Sequence, residues 1–218
     1  MWFFYLPIVA YIVYLVIRFR GLTFLSVNPG LPMSGLIGER KAQSLFQLEG
    51  SPYLARFELL DSNSSIEKRL VQAQEIMKRL SVSFPVVLKP DFGQRGADVA
   101  VIRSDEALRD YLLKTKTSVL VQEHIEGEEF GVFYMNYPEE SRSHIYSITE
   151  KTFPVVVGNG KHSLEELLMN NPRTHYMAEF LLNLHADKLD YVLGNDERFK
   201  VVEIGSHCRG SVLSLIHI

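Results

Sequence analysis

A single lysine at the end of an apolar run, followed by a glycine-containing loop, is the first feature of this chain that could do chemistry. Residues 84–99 read FPVVLKPDFGQRGADV, so Lys89 closes a predicted buried strand and Pro90 ends it. Gly93 and Gly96 then allow a loop whose backbone N–H groups can approach phosphate oxygens. The arrangement predicts a nucleotide-phosphate site, although a lysine at a strand end before a turn is commonly only solvated.

The glycine loop differs from two common phosphate-binding motifs. It lacks the Gly-Lys-Ser/Thr ending of a P-loop. It also precedes a predicted strand, whereas a dinucleotide-binding fingerprint opens a helix. Any nucleotide site here therefore belongs to another class.

A second candidate site lies in the segment VLVQEHIEGEEFGVFYM, residues 119–135. One predicted strand ends at Glu123 and the next begins at Phe130, so the backbone from Glu123 to Ile125 can contact the edge of an adenine ring. Glu129 starts the second strand, where its carboxylate can accept hydrogen bonds from ribose hydroxyls. Acidic residues beside a turn are usually just solvated, so the pairing of both segments is what favours a nucleotide site.

The elements around these segments predict an α+β fold. Apolar runs bounded by turn residues predict strands, and capping serines predict helix starts. The predicted strands are residues 84–88, 99–102, 118–122, 130–135, 145–149, 154–157 and 200–204. The predicted helices begin at Ser64 (with Glu67), at Ser104 and at Ser163 (with Glu166), and a further helix covers residues 174–185. Turn signals across residues 21–63 predict an irregular linker or a partial N-terminal substrate region.

Three strings in order carry a resemblance to a known family: VVLKPDFGQRGADVAVIRS, VLVQEHIEGEEFGV, and VVVGNGKHSLEEL preceded by a basic residue. Residues 64–211 resemble the ATP-grasp superfamily, in the branch with D-alanine–D-alanine ligase, glutathione synthetase and cyanophycin synthetase. The resemblance implies an ATP-grasp fold, incomplete at the C-terminus, in which two α+β subdomains hold ATP between them.

The resemblance also implies roles for individual residues. Lys89 would neutralise phosphates, and the loop of Gly93, Gln94, Arg95 and Gly96 would close on them. Glu123, His124 and Ile125 would hold adenine, Glu129 would hold the ribose, and Lys151 would face the phosphates. Two positions depart from the family pattern: Asp98 replaces a usual glycine, and Asn159 replaces a frequent Asp.

The implied reaction uses ATP and Mg²⁺ to phosphorylate a small-molecule or peptide carboxylate. An amine, or alternatively a thiol, then attacks the acyl phosphate, which makes the protein a ligase. Such transfer depends on positioning and charge neutralisation, and Mg²⁺ requires oxygen ligands. The alternative is a nucleotide-binding module without ligase activity.

The position of the metal ligands is open between two alignments. Asp190 with Glu203 resembles the metal pair of D-alanine–D-alanine ligase, but Gly205 replaces the family Asn. The favoured alignment places the metal ligands beyond this chain and gives Arg209 a catalytic role facing the phosphates or the acyl phosphate. The ending LSLIHI matches a common adapter translation, so residues 212–218 are expected to be a non-native tail on a truncated fragment.

The N-terminal segment is unlike the rest of the chain. Residues 1–17 carry no charge, and Arg18 and Arg20 follow directly. This pattern predicts a membrane-associated helix over residues 1–20, either spanning the bilayer or lying in its interface, with the following domain in the cytoplasm. The alternative is a buried core helix.

Bulk composition excludes several function classes. A net charge of −3 gives no electrostatic footprint for nucleic acid. The single cysteine, Cys208, excludes an internal disulfide framework and fits a reducing compartment.

Overall fold

The computed structural model describes residues 2–36, 38–137, 139–206 and 210–217. Helices and antiparallel strands alternate along these residues, which confirms the predicted α+β class. Two compact units share the chain. Unit 1 comprises Met1–Phe92 and Arg103–Glu123, and unit 2 comprises Gly93–Ile102 and His124–Ile218.

The N-terminal apolar segment forms a 3-10 turn, Trp2–Tyr5, and helix α1, Leu6–Phe19. No residue of α1 is buried, so the alternative of a core helix is wrong. Among the described residues, no helix combines the length and the apolar character needed to cross a bilayer. Association of α1 with a membrane therefore stays a prediction.

Residues 21–63 contain more regular structure than their turn signals indicate. Two 3-10 turns, Thr23–Ser26 and Pro32–Gly35, precede helix α2, Lys41–Phe46, and strand β1, Phe57–Leu60. The prediction of an irregular segment is therefore wrong for α2 and β1. Four residues are too few to show a strand period, and β1 is defined by its pairing with a strand far along the chain.

The sheet of unit 1 places strand β4, Val119–Glu123, between β1 and β2, Val86–Pro90, with both pairings antiparallel. Since β4 is hydrogen-bonded on both sides, it lies at the centre of these three strands, and its residues 119–121 are at most 1% exposed. The register sets Lys89 opposite Leu120 and Val86 opposite Glu123. Two predicted ligand residues, Lys89 and Glu123, therefore lie on neighbouring strands.

Two helices complete unit 1: α3, Ile66–Leu80, and α4, Asp105–Lys114. Ser104 caps α4 as predicted, but α3 is capped by Ser65, whose hydroxyl accepts from the N–H of Lys68. The prediction of Ser64 as the cap is wrong by one residue. Both serines precede the same apolar stripe of the helix, which consists of Ile66, Leu70, Ala73, Met77 and Leu80.

Unit 2 contains strand β3, Ala100–Ile102, and a sheet of order β5-β6-β9. These strands are β5, Glu129–Met135, β6, His144–Thr152, and β9, Val212–His217. The predicted non-native tail thus forms a strand paired with β6 over residues 212–217. Its non-native origin stays a prediction.

A smaller ribbon in unit 2 pairs β7, Val155–Val157, with β8, Arg198–Lys200. Three helices accompany it: α5, Leu164–Asn170, α6, Pro172–His175, and α7, Ala178–Leu184. The core here consists of Val156, Leu164, Leu168, Leu181, Leu193, Val201 and Val202.

Two boundary predictions in unit 2 are wrong, and one cap is confirmed. The helix predicted over 174–185 is divided into α6 and α7, since Tyr176 and Met177 interrupt the regular backbone. The strand predicted over 200–204 lies earlier, as β8. Ser163 and Glu166 form the predicted capping box at the start of α5.

Candidate functional site

The predicted ligand residues are divided between the two units, and each unit is described by itself. Lys89 is half-buried on β2 of unit 1, between the buried residues Leu88 and Pro90. Strand alternation turns its side chain away from the face of its buried neighbours. The pairing with β4 fixes the position of its backbone.

Asp91, directly after β2, anchors this strand end and was not indicated by the sequence. Its side chain is almost fully buried. One carboxylate oxygen accepts from the N–H of Ala42 at 2.9 Å, and the other accepts from Arg40 Nε at 2.7 Å. The Asp91 backbone N–H donates to the carbonyl of Ser118 at 3.0 Å. Asp91 therefore ties the residue after β2 both to the start of α2 and to the residue before β4.

The glycine loop belongs to unit 2 and has a backbone that few residue types adopt. Arg95, Gly96 and Asp98 have φ values of 57°, 72° and 53°. Asp98 therefore occupies a left-handed conformation, which explains how it can stand where the family usually has glycine. The Arg95 carbonyl accepts from the Ser206 hydroxyl at 3.1 Å. The side chains of Gln94 and Arg95 are exposed, so both are accessible to a ligand.

Glu123 ends β4 of unit 1, and its carboxylate is bound by Arg56. Arg56 Nε lies 3.0 Å from Oε2, Nη2 contacts Oε1, and the Arg56 backbone N–H donates to Oε2 at 3.2 Å. These hydrogen bonds lower the pKa of Glu123 to about 2. The second guanidinium nitrogen of Arg56, Nη1, donates to the carbonyls of Leu80 and Ser81 at the end of α3.

The two residues after Glu123 begin the second part of unit 2. His124 is half-buried, and Ile125 is 64% exposed. An exposed isoleucine offers apolar surface, as contact with an adenine ring requires. Their predicted role at adenine stays a prediction.

Glu129 and Lys151 are brought together in unit 2. They are register partners across β5 and β6, and Lys151 Nζ lies 3.3 Å from Glu129 Oε2. Both line a cavity of about 430 Å³, whose other lining residues are Gly127, Glu128, Glu150, Thr152, Phe153, Val155, Arg198 and Lys200. This volume lies within the range of small-molecule sites, about 300–1,000 Å³. The predicted ribose residue and the predicted phosphate residue thus share one cavity.

Gly205 lies against the Glu129 carboxylate. A Cβ atom at this position would lie 2.5 Å from Glu129 Oε2. The absence of a side chain at Gly205 therefore leaves the space in which that carboxylate sits.

The alternative metal pair, Asp190 with Glu203, stays a prediction. Both residues are exposed. Within residues 2–36, 38–137, 139–206 and 210–217, no three His, Cys, Asp or Glu side chains are grouped as metal ligands. A magnesium ion that is shared with nucleotide phosphates needs only one or two protein carboxylates. Arg209 and Cys208 lie outside the described residues.

Comparison with known proteins agrees with the motif reading over part of the chain. Residues 47–136 match the family model described as the RimK-like ATP-grasp domain. No curated protein sequence is significantly similar to this chain.

Two solved structures show weak similarity. A bifunctional glutathione synthetase from Pasteurella multocida is 16% identical with a TM-score of 0.29, covering 75% of this chain and 24% of its own. A D-alanine–D-alanine ligase from Helicobacter pylori is 18% identical with a TM-score of 0.39, covering 55% of this chain and 35% of its own. This chain thus spans about a quarter and about a third of their lengths, and similarities at these TM-scores support no inference. The resemblance to the ATP-grasp superfamily is nevertheless confirmed by the family model over residues 47–136, which include Lys89, the glycine loop, Glu123 and Glu129.

Proposed function

We propose that this chain is the nucleotide-binding part of an ATP-dependent ligase that joins a carboxylate to an amine or a thiol. The observation that carries the proposal is the cavity of unit 2, in which Glu129 and Lys151 stand together. The carboxylate can accept hydrogen bonds from two ribose hydroxyls, and the neighbouring cation can bind phosphate oxygens. This combination suits a nucleotide. The family model over residues 47–136 supports the same class of ligand.

The proposed reaction has two transfers. A carboxylate oxygen attacks the γ-phosphorus of ATP, the bond to the bridging oxygen breaks, and ADP leaves. The amine or thiol then attacks the acyl carbon, phosphate leaves with the bonding electron pair, and the nucleophile loses its proton. In-line transfer of this kind is limited by positioning and by the charge on the phosphoryl oxygens.

The residues of this chain would bind and orient the nucleotide. Lys89 and Lys151 would counter phosphate charge, and the loop of Gly93 to Gly96 would offer backbone N–H groups to phosphate oxygens. Glu129 would fix the ribose. Mg²⁺ bound together with the nucleotide would neutralise charge on the phosphoryl oxygens in such a transfer.

ATP binding and ADP release together test this proposal. ATP binding is measured by calorimetric titration of the 218-residue chain with unlabelled ATP. ADP release is measured with the full-length protein, using N-acetylated amino acids and peptides as carboxylates, with and without added amine. Binding plus release that requires both carboxylate and amine supports a ligase. Binding without release favours the alternative, a nucleotide-binding module, and absence of binding overturns both.

Helix α1 carries a separate proposal, a membrane anchor. Most of its apolar side chains are exposed, including Ile8, Val9 and Val13 at 51–54% exposure, and Arg18 lies in its last turn. Such a helix suits the interface of an anionic bilayer, and the cytoplasmic placement of the rest of the chain stays a prediction. Co-sedimentation with phosphatidylglycerol vesicles should fall strongly for the double variant Val9→Glu, Val13→Glu. Equal sedimentation of the variant and the unaltered chain would refute the anchor.

A further inference from the structure

Two basic residues that the sequence did not indicate line the same cavity as Glu129 and Lys151. Arg198 and Lys200 are the first and last residues of β8, and both are exposed. Between them, Phe199 packs against the core of unit 2. Because strand side chains alternate between two faces, the burial of Phe199 directs Arg198 and Lys200 to the opposite face.

The surroundings of these two cations leave their charge available. Lys200 Nζ lies 3.7 Å from the centroid of the Phe153 ring, a cation–π contact that positions the amine. Within the described residues, no carboxylate lies within ion-pair distance of Arg198 or Lys200. Glu128 and Glu150 also line the cavity, but neither forms an ion pair there.

The third cation of the cavity is already partly neutralised. Lys151 Nζ is 3.3 Å from the Glu129 carboxylate, longer than the roughly 2.7–2.9 Å of a strong charge-assisted hydrogen bond. If the hydroxyls of a ligand donate to Glu129, then Lys151, Arg198 and Lys200 can bind negatively charged groups of the same ligand.

We propose that Arg198 and Lys200 bind phosphate oxygens of the nucleotide whose ribose is held by Glu129. This inference rests on the proposed function and adds two phosphate-binding residues to it. Arginine suits the role because its planar fork can donate two parallel hydrogen bonds to one phosphate group. Lys200 would act as a point charge, held in place by Phe153.

The experiment compares ligands with and without phosphate on the full chain. Unlabelled ADP and adenosine are titrated by calorimetry against the unaltered protein, Arg198→Gln and Lys200→Gln. Arg173→Gln and Lys188→Gln are matched controls, since both residues are exposed in unit 2 and lie outside the cavity. Circular dichroism checks that every variant is folded.

Each cavity variant should weaken ADP binding about fivefold, the effect expected for one partly exposed charge pair. Adenosine binding should be unchanged, and the controls should match the unaltered protein for both ligands. Unchanged ADP affinity in both cavity variants, or equal losses for ADP and adenosine, would overturn the proposal.

A separate titration distinguishes this inference from the proposed function. If the unaltered chain binds neither ATP nor ADP, the proposed function fails, and calorimetry with tripolyphosphate then decides the cation site. Binding that is lost in Arg198→Gln and Lys200→Gln but kept in both controls retains the site as an anion site. Absence of binding, or binding unaffected by the cavity variants, rejects it.

Discussion

Two glutamates of this chain, Glu123 in unit 1 and Glu129 in unit 2, have carboxylates in opposite situations. Both oxygens of Glu123 are hydrogen-bonded to the Arg56 guanidinium, and one of them also accepts from a backbone N–H. At the wall of a cavity, Glu129 accepts one hydrogen bond from the described residues, from Lys151 Nζ at 3.3 Å. The oxygens of Glu123 are therefore occupied by donors of unit 1, whereas the Glu129 carboxylate can still accept hydrogen bonds from a ligand.

This difference separates positioning from binding. An ionised carboxylate with three hydrogen bonds gains little by exchanging them for bonds to a ligand. Arg56 therefore links the end of β4 to the end of α3. It binds the Glu123 carboxylate and also donates to the carbonyls of Leu80 and Ser81. Any contact of the Glu123 segment with adenine is then more easily made by the backbone and by the residues that follow than by the Glu123 carboxylate.

The largest expected effect is on nucleotide affinity in Glu129→Gln. The amide keeps one acceptor but loses the charge that strengthens hydrogen bonds from ribose hydroxyls. Such bonds contribute about 1.5–3 kcal/mol, so the affinity for unlabelled ATP, measured by calorimetry, should fall roughly 10- to 100-fold. The free energy of unfolding should stay nearly unchanged, since the ion pair with Lys151 is partly exposed.

Glu123→Gln should behave in the reverse way, with lower stability and a smaller loss of affinity. Glu126→Gln is the control for both, because Glu126 is exposed and lies outside the cavity. If Glu123→Gln weakened ATP binding more than Glu129→Gln did, the division between a positioning and a binding glutamate would be wrong.

Asp91 extends the comparison to a carboxylate that is buried as well as saturated. In Asp91→Asn one oxygen becomes a donor facing either Arg40 Nε or the N–H of Ala42, so one buried hydrogen bond is lost. The free energy of unfolding, measured in urea, should fall by about 1–3 kcal/mol. Asp110→Asn, an exposed aspartate in α4, should change it little. Equal free energies of unfolding for Asp91→Asn and Asp110→Asn would refute the anchoring role of Asp91.

The sequence predicts local features of this molecule much better than long-range ones. Ser104 and the Ser163–Glu166 box are confirmed because a cap is decided within four residues. By contrast, β1 is a strand only through its pairing with β4, more than fifty residues later. Its four residues carry no period that could have shown this.

Arg69 shows the same limit in a helix. The apolar stripe of α3 predicts a helix correctly, but it gives no reason to expect a buried arginine on that helix. Arg69 is 2% exposed because its guanidinium donates to the carbonyls of Leu112, Thr115 and Thr117 near the end of α4. Those acceptors become visible only once two helices have packed together.

The candidate site follows the same division between local and distant information. Lys89, the glycine loop and Glu129 stand in continuous motifs, so their types and spacing could be recognised. Arg56, Asp91, Arg198 and Lys200 lie outside those motifs or act through partners distant in sequence. Their contributions required the register of the strands and the position of the cavity.

The Arg56–Glu123 pair also predicts how stability depends on pH. Arg56 lowers the pKa of Glu123 from 4.5 to about 2. A depressed carboxyl pKa stabilises the fold fully above the unfolded value, and this contribution is lost as pH falls through the folded value. The stability gap between the unaltered protein and Glu123→Gln should therefore be largest near pH 7 and should shrink from about pH 4.5 towards pH 2. Urea unfolding of both proteins at intervals between about pH 7 and pH 2 measures this difference in stability. A difference that does not change with pH would exclude ionisation of Glu123 as its cause.

The smallest effect is expected where Gly205 meets Glu129. In Gly205→Ala the new methyl group would lie 2.5 Å from Glu129 Oε2 in the present geometry, so the flexible carboxylate must move. A displaced carboxylate should weaken ATP binding about threefold, or roughly 0.7 kcal/mol, without lowering stability much. Gly131→Ala is the matched control on β5, since its Cβ would meet the Thr149 carbonyl at 3.8 Å, an ordinary contact. If both alanine variants bind alike, Glu129 tolerates displacement, and the precision of its position is not what makes it a ribose ligand.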